Sequence, residues 1–407
     1  MQSPARQGWR SLLVAYGITS TIEAIGVSQI FAYLPLRLRE VGLPDADIPA
    51  FTGIFTSLIF VFGIVFVPFW GVWADKYSRR AVIVRSAVVE AVVFAGVAAA
   101  REPWQLAAAL LLTGLQLGNT GVMLAALRDL TPPNRIGTMS ALFGATSPIG
   151  FAVGPVIAGL MVDGLGLPLT AVFWTSAALS AAIVVILLVG TVEVRPEVVP
   201  VGRVVTLARA AVMGVLRDAG VRRLFAVFGI AILANQMYRP FLPILVERIF
   251  GTGAGLASAI ALVTGTAALV GALVSPVSGP IGDRVGFRAV LAISLVAGGV
   301  AVGLMPLATG VLVLAGLAAI YAAFQAAVHA MMFSLIATEA PPERRSATLN
   351  LVLLPLYVAG ILGPSAGAVV VSLTGIEGVF PAAALVFLIG GLGIAGALGR
   401  LRRARVR

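Results

Sequence analysis

The stretch PFWGVWADKYSRR, residues 68–80, ends a long apolar run and places Asp75 beside the basic residues Lys76, Arg79 and Arg80. A second stretch, PVSGPIGDRVGFR, residues 276–288, repeats the spacing Pro-x-x-Gly-x-x-x-Asp-[Lys/Arg] about half a chain length later. The same offset of 208 residues relates YLPLRLRE to FLPILVER, and an offset of 209 relates LTPPNRIGT to EAPPERRSA, Gly154-Pro155 to Gly363-Pro364, and Gln116 to Gln325. Several matches in one register predict a duplicated architecture.

The composition is typical of a protein that crosses a membrane many times. The chain has 407 residues, of which 59% are hydrophobic and 11% are charged, and its mean hydropathy is +1.04. Soluble domains carry about 25% charged residues. The lack of cysteine excludes disulfides and thiolate chemistry, and the single histidine, His329, excludes a metal site built from several histidines. We therefore expect no metal and no cofactor.

Apolar runs of about 20 residues, each long enough to cross a bilayer, predict an all-α membrane protein with twelve transmembrane helices in two pseudo-symmetric six-helix lobes. Residues 1–190 are predicted to form the N-terminal lobe, and residues 222–407 the C-terminal lobe with a basic tail. Residues 191–221 form a linker, either a plain tether or the carrier of a surface helix. The predicted spans are 11–38, 51–74, 81–100, 104–127, 138–162, 169–190, 223–246, 255–281, 289–309, 310–336, 346–373 and 378–399.

The formal net charge of +11 is a topology signal. With twelve spans both termini share one side, and most basic residues, including Arg85, are predicted to lie there. Only Arg37, Arg39, Arg101 and Arg248 fall on the opposite side. By the positive-inside rule, this predicts cytoplasmic termini in the plasma (inner) membrane of a prokaryote, and a nucleic-acid partner is not expected.

The repeated stretch predicts a conformational latch on the side of the termini. Asp75 and Asp283 end spans two and eight, where a carboxylate can face the N-terminus of another helix. Gly71 and Gly279, one turn earlier, are expected to permit close helix approach. The alternative is a topology anchor that only ends a helix. The basic residues expected to pair with the acids and to anchor the two turns are Lys76, Arg79, Arg80, Arg284 and Arg288.

At these residues the chain resembles the major facilitator superfamily. Gly71-Val-Trp-Ala-Asp75-Lys76-Tyr-Ser-Arg79-Arg80 is similar to the family motif between helices two and three, and it departs from the motif at Ser78, where glycine is usual. The second copy keeps that glycine at Gly286. The resemblance covers the whole chain and implies a two-lobed transporter in which this motif acts as a latch.

The sequence GFAVGPVIAG, residues 150–159, resembles the Gly-x-x-x-Gly-Pro motif of proton-driven exporters, with Ala158 replacing one late glycine. Such glycines allow close packing and proline bends a helix, both useful at a seam between lobes, although both residues are common in membrane helices generally. The resemblance favours the multidrug/tetracycline branch, but span four lacks the arginine that this branch usually carries early in that helix. The packing and kink residues are Gly150, Gly154, Pro155, Gly159, Gly363 and Pro364.

Ionisable residues within the spans are functional candidates, because burying one in hydrocarbon costs at least ~2.5 kcal/mol. Glu23 lies mid-span in TSTIEAIGVSQIF and is predicted to carry protons, the alternative being a structural carboxyl bonded to a neighbouring Ser or Thr. Glu90, in span three, is interpreted as structural. His329 is either a proton relay or a buried neutral hydrogen-bonding residue.

Polar side chains recur at helical spacing in spans one, four, seven and ten, which the family turns toward a central cavity. Arg239 has three interpretations: it binds an anionic group of the substrate, pairs with Glu23, or extends to the outer interface. The residues predicted to line the substrate cavity are Gln29, Tyr33, Gln116, Asn119, Asn235, Tyr238, Arg239, Tyr321 and Gln325.

These patterns predict proton-coupled export of a small amphipathic molecule by alternating access. Alternatives are a sugar or organic-anion uniporter or symporter of the same fold, anchored by Arg239, and a non-transporting membrane sensor. An enzyme is not expected, because Lys76 lies outside any Gly-Lys-[Ser/Thr] loop and no catalytic spacing is present. The expected partners are a small-molecule substrate, protons and the lipid bilayer, with no obligate protein partner.

Overall fold

A computed structural model describes residues 8–196, 199–217, 219–339 and 354–406. In these ranges twelve segments are long and apolar enough to cross a membrane, which confirms the predicted fold class. The predicted start of span eleven, residues 346–353, and Arg344 and Arg345 lie outside the described residues. The twelve spans are Trp9–Glu40, Ile48–Lys76, Arg79–Ala99, Pro103–Leu130, Pro133–Gly164, Leu169–Gly190, Phe225–Phe250, Leu256–Val285, Phe287–Leu307, Val311–Met332, Leu354–Thr374 and Ile376–Ile394.

The two lobes pack by one scheme. Span one packs on span five, span two on span four, and span three on span six. The second lobe repeats these pairs six spans later: seven on eleven, eight on ten, and nine on twelve. Between the lobes, span two packs on span eleven and span five on span eight. The sequence repeat is therefore also a structural repeat.

Two spans are interrupted near their middle. Span four consists of the helices Pro103–Gln116 and Asn119–Leu130, joined through Gly118 at φ +99°, a conformation that glycine adopts without strain. Span seven passes from the helix Ala219–Tyr238 through a 3-10 turn, Arg239–Phe241, into Leu242–Phe250. Breaks inside a membrane leave backbone groups that other parts of the protein must satisfy, so they are tolerated where they face protein or a cavity.

The linker between the lobes carries a helix, Val204–Arg217, which packs against span two. Its exposed apolar residues include Val205, and Arg217 lies in its last turn. Of the two interpretations, the surface helix fits the described part of the linker.

Glycines set the distance between span five and span one. A Cβ added at Gly150 would lie 2.5 Å from the Cβ of Ala24, and one added at Gly154 would overlap Ser28 Oγ. In the second lobe Gly363 packs in the same way on span seven, where a Cβ would lie 3.0 Å from the Leu233 carbonyl oxygen. These glycines lie within a lobe, which corrects the expectation that they pack at the inter-lobe seam.

Gly159 does lie at that seam, where an added Cβ would be 3.2 Å from the Cα of Ser258 in span eight. The two prolines also border the seam. The carbonyl of Pro155 faces Tyr33 and the carbonyl of Pro364 faces Gly53 of span two. Both prolines lie inside their helices.

Gly154→Leu is expected to destabilise the protein by on the order of 1–3 kcal/mol, because overpacking forces span five away from span one. Gly144→Leu in the same helix is the matched control, since a Cβ there meets no atom within 4 Å among the described residues. Thermal melting of the two purified variants in detergent measures the difference. Equal melting temperatures would contradict the close contact at Gly154.

Polar contacts close the bundle on the side away from the chain termini, which we call the distal side; the other is the terminus side. The Tyr33 hydroxyl lies 2.8 Å from the Pro155 carbonyl oxygen and 2.9 Å from that of Ala257. Asp163 accepts hydrogen bonds from the backbone N–H groups of Gly255, at 3.1 Å, and Ser258, at 2.6 Å. We call these contacts the distal seal.

Two further contacts reinforce the seal between the lobes. Arg39 of span one forms a 2.8 Å ion pair with Glu247 of span seven. The Ser57 hydroxyl of span two lies 2.9 Å from both the Ile361 carbonyl oxygen and the Ser365 hydroxyl of span eleven.

On the terminus side the two lobes are less closely packed. Between residues 139 and 145 of span five, only Met139 and Phe143 are buried. Residues 140–142 and 144–145 are exposed, so most of the circumference of the helix is uncovered there. Leu273 of span eight is likewise 66% exposed. These two spans are in close contact at Gly159 and Gly265, and their residues nearer the terminus side are more exposed, so the lobes pack less closely there.

Candidate functional site

The interior of the first lobe holds a carboxyl group at the break in span four. Glu23 is 8% exposed, and its Oε1 accepts a hydrogen bond from the side-chain amide of Asn119. Asn119 is the first residue of the second half of span four. A proton-carrying candidate on span one therefore contacts the residue at which another span restarts.

Arg85 of span three contacts the other end of the same break. Its Nη2 lies 3.5 Å and 3.4 Å from the carbonyl oxygens of Gln116 and Leu117, whose helix ends there. The hydroxyl of Ser86 donates to the Gln116 carbonyl at 2.7 Å. The guanidinium stacks on Trp70, with its central carbon 3.8 Å from the ring centroid.

The position of Arg85 differs from the expectation that it lies among the charges of the membrane surface. It lies within the first lobe, and its Nε and Nη1 are buried with no hydrogen-bond partner among the described residues. The missed signal was its position in the apolar run VIVRSAVVEAVV, five residues before Glu90. Span three thus carries a partly buried arginine within its membrane-spanning segment.

Glu90 is buried in the same lobe, at 1% exposed. Its Oε1 has no partner within the described ranges. It interacts electrostatically with Glu23, which also interacts with Arg85. The first lobe therefore contains two carboxyl groups and one guanidinium, and Glu23 interacts with each of the other two.

The polar stripes of spans one and four serve the packing of the first lobe in this conformation. Gln29 donates to the Gly154 carbonyl at 3.1 Å and accepts from the Ser176 hydroxyl at 2.6 Å, so it joins three spans of one lobe. Tyr33 belongs to the distal seal, and Gln116 is buried with its Oε1 unpartnered in the described structure. The expectation that these residues and Asn119 line the cavity is corrected, because each is less than 5% exposed.

The stripes of spans seven and ten meet in the second lobe. The Tyr321 hydroxyl donates to Asn235 Oδ1 at 2.8 Å, and the rings of Tyr321 and Tyr238 pack edge to face at 5.2 Å. Both tyrosines are buried, which corrects their placement in the cavity lining. Partly exposed polar residues remain on this face: Asn235, Arg239, Gln325 and His329.

The single histidine packs within the second lobe. His329 Nδ1 lies 3.0 Å from the Gln325 carbonyl oxygen, and its ring packs edge to face on Phe228 at 5.8 Å. Both side-chain polar atoms of Gln325 are buried without a partner among the described residues. This arrangement fits a neutral hydrogen-bonding residue, the second of the two interpretations.

Arg239 makes its contacts across the lobes. The guanidinium carbon lies 4.3 Å from the ring centroid of Phe31 and 5.0 Å from that of Phe151, both in the first lobe. It does not pair with Glu23, which binds Asn119, and it does not extend to the distal surface. Two of its three interpretations are thereby corrected, and the anion-binding one stays a prediction.

The first copy of the charged stretch is an ion-pair network within the first lobe. Arg79 is 5% exposed in its side chain and pairs with Asp75 at 2.8 Å and Asp129 at 2.6 Å. Glu193 of the linker accepts from the backbone N–H of Arg79 and from the Ser78 hydroxyl, so it occupies the N-terminus of span three. The acid at that helix terminus is therefore Glu193, which corrects the expectation for Asp75.

The neighbouring basic residues attach this turn to the linker and to span six. Lys76 donates to the Gly202 carbonyl, and Arg80 donates to the carbonyls of Leu187 and Leu188. Arg80 thus satisfies the end of a helix, where basic side chains are favoured. The lysine contact joins span two to the linker.

The second copy differs from the first. Asp283 and Arg284 are exposed and form no ion pair with another described residue, while Arg288 is partly buried and has a partner. Gly286 has φ +99°, whereas Ser78 at the same place in the first copy is extended and caps span three. This difference explains why only the second copy needs glycine. Within the described structure, no neighbour lies within 4 Å of a Cβ at Gly71 or Gly279, so the expected close approach is not found there.

Comparison with known proteins decides the family. The model of the Major Facilitator Superfamily matches residues 12–263 and 224–407, which together cover almost the whole chain. The chain belongs to the major facilitator superfamily. The second match begins close to the start of span seven, where the second lobe of a major facilitator protein begins.

Relatives of this major facilitator protein include bacterial multidrug resistance proteins. It is 28% identical over 297 residues to multidrug resistance protein MdtG of Proteus mirabilis, covering 72% of each chain. It is also 28% identical over 294 residues to MdtG of Yersinia enterocolitica, covering 71% of this chain and 69% of the relative.

Solved structures show the same fold. The nucleoside transporter NupG aligns with a TM-score of 0.79 at 16% identity, over 95% of this chain and 99% of that one. The human organic anion transporter MFSD10 aligns with a TM-score of 0.71 at 19% identity, over 97% and 100% of the two chains. These relatives and neighbours are transporters or resistance proteins, and none of those named here is described as an enzyme.

Proposed function

We propose that this major facilitator protein exports small amphipathic molecules in exchange for protons by alternating access. The observation that carries the proposal is the buried Glu23, held by Asn119 at the break in span four. The names of the MdtG relatives support multidrug-type export. The concentration of basic residues on the terminus side supports cytoplasmic termini and an inner-membrane location.

The break in span four gives the proton a way to act on the helices. Protonated Glu23 is neutral and keeps its hydrogen bond with Asn119. Once the proton leaves, the carboxylate attracts the guanidinium of Arg85, which contacts the carbonyls on the other side of the break. The charge of Glu23 therefore changes the forces on both halves of span four. A ligand or proton that binds one conformation more tightly shifts the population toward that conformation.

The distal seal, and the looser packing of spans five and eight on the terminus side, support an inward-facing state that takes substrate from the cytoplasm. We further propose that the Asp75–Arg79–Asp129 network stabilises the cytoplasmic end of the first lobe and acts as the latch. It joins three spans, two, three and four, and through Glu193 it also joins the linker, so it is placed to respond when the lobes rock.

Inside-out vesicles or proteoliposomes with an imposed pH gradient test the proposal directly. We expect accumulation of a lipophilic dye that follows the size of the gradient and ends when an ionophore collapses it. Dye flux that ignores the gradient would contradict proton coupling and favour facilitated transport. No flux of any tested dye or sugar in active membranes would favour the sensor alternative.

Arg85→Gln is expected to lower the maximal transport rate about tenfold while leaving the substrate KM nearly unchanged. This loss corresponds to an activation free energy that is higher by about 1.4 kcal/mol. Glutamine can still donate to a carbonyl of the break, but it lacks the charge that responds to Glu23. Arg85→Lys is expected to restore part of the rate. If the melting temperature falls together with the transport rate in both the Arg85→Gln and the Arg85→Lys variant, the role of Arg85 is purely structural.

Transport of organic anions is the second candidate, and one observation favours it. Arg239 is a cation within the membrane whose contacts in the described structure are aromatic rings. This feature is compatible with proton-coupled export, and its consequence is developed next.

A further inference from the structure

Arg239 is a cation without a counter-ion in the described part of the chain. None of the ion pairs found there includes it, and none of the hydrogen bonds does. The ionisable groups near it are Tyr238, Tyr321 and His329, and none of them is a carboxylate. An ionised side chain within a membrane is costly and is normally paired, so an unpaired one marks a site for a ligand.

The contacts of Arg239 leave its hydrogen-bonding edge available. A guanidinium is planar, and stacking on aromatic rings uses its faces. Its five N–H donors point outward in the plane and match a carboxylate or sulfonate in a two-point contact. The guanidinium carbon lies over the rings of Phe31 and Phe151, and no described residue accepts a hydrogen bond from the Arg239 side chain, so its donors are free for an anion.

The position of Arg239 is that of a substrate site. It begins the 3-10 turn that interrupts span seven, and interrupted helices mark the binding sites of many transporters. Phe31 lies two residues before Tyr33 of the distal seal, and Phe151 lies four residues before Pro155. Arg239 therefore lies about one helical turn from the distal seal, on its terminus side.

We propose that Arg239, stacked on Phe31 and Phe151, binds the anionic head group of an amphipathic organic substrate such as an aryl carboxylate or sulfonate. The proposal rests on the proposed transport function and names the substrate class for it. The cation comes from one lobe and the rings come from the other, so the ligand binds at the seam that opens and closes during transport. Partly exposed Asn235, one helical turn before Arg239, offers an amide to the same ligand.

The natural absence of cysteine allows a direct test. Asn235→Cys places one thiol beside Arg239, and thiosulfonate reagents of opposite charge, sulfonatoethyl and trimethylammonioethyl methanethiosulfonate, report the local potential. In nanodiscs, with rates normalised to those of a free thiol, we expect the anionic reagent to be favoured at least tenfold. In the Asn235→Cys/Arg239→Gln variant this preference should disappear. In the Asn235→Cys/Arg248→Gln variant it should persist, since Arg248 pairs with Glu377 on the distal side.

A matched pair of probes tests ligand binding at the same thiol. We expect 2-naphthoate to protect the thiol of Asn235→Cys from labelling at concentrations at least tenfold lower than those at which 2-naphthamide protects it. This difference should be present when residue 239 is arginine and absent in the Asn235→Cys/Arg239→Gln variant. An unchanged reagent preference in the Arg239→Gln variant, or no labelling by either reagent, would overturn the proposal. These measurements need no proton gradient, so their failure is distinct from a failure of gradient-driven dye export.

Discussion

Glu23→Gln is expected to abolish gradient-driven accumulation, lowering it to the passive leak of empty proteoliposomes. The amide has nearly the shape of the carboxyl and can still accept the hydrogen bond from Asn119, so packing at the break in span four is retained. It is unable to release a proton, and the protein then loses the change of charge that acts on Arg85. Dye uptake under an imposed pH gradient, together with dye binding to purified protein, measures the effect.

Glu90→Gln is the matched control, because Glu90 is the other buried glutamate of the same lobe among the described residues. Glu90 interacts electrostatically with Glu23 but has no hydrogen bond at the break in span four within the described structure, so we expect Glu90→Gln to keep gradient-driven uptake. Uptake that survives in Glu23→Gln, or that is lost in Glu90→Gln alone, would contradict the assignment of the proton to Glu23. Retained dye binding in both variants would show that each is folded.

Asp163→Ala is expected to open the distal seal. The carboxylate of Asp163 accepts two backbone N–H groups at the N-terminus of span eight, in the opposite lobe. Losing such a cap costs about 2 kcal/mol, which corresponds to a shift of about 30-fold toward conformations in which the distal side is open. The sealed, inward-facing population should fall accordingly.

Spin labels on Leu165→Cys and Leu312→Cys, both exposed on the distal side of different lobes, measure this shift as a longer distance. Glu377→Ala is the matched control, because Glu377 pairs with Arg248 within one lobe and its loss should leave the distances unchanged. Equal distance distributions in Asp163→Ala and in the parent would show that the cap does not hold the lobes together.

The sequence predicted the fold because membrane spans are specified by composition along the chain. The predicted span 169–190 coincides with the helix Leu169–Gly190. The repeat also predicted that the two lobes pack alike. The break at Gly118 was missed, because GLQLGN contains no proline and a lone glycine is compatible with an unbroken membrane helix.

The site was predicted less well, because the partner of a polar side chain depends on tertiary packing. Helical spacing placed Gln29 on one face of span one, but whether that face meets the cavity or Ser176 depends on how span six packs. Arg85 looked like a surface charge, and Asp163 was not singled out. Phe31 and Phe151 carried no signal in the sequence, since an aromatic residue in a membrane span is unremarkable until a cation is found over it.

The distal seal also has a consequence for how this chain tolerates genetic variation. At the contacts of Tyr33 and Asp163, the first lobe supplies the side chains and the second lobe supplies only main-chain groups, those of Ala257, Gly255 and Ser258. A substitution changes the side chain but keeps the backbone carbonyl, and it keeps the backbone N–H unless the new residue is proline. A deep mutational scan should therefore find Tyr33 and Asp163 intolerant, while positions 257 and 258 accept other small residues without loss of closure.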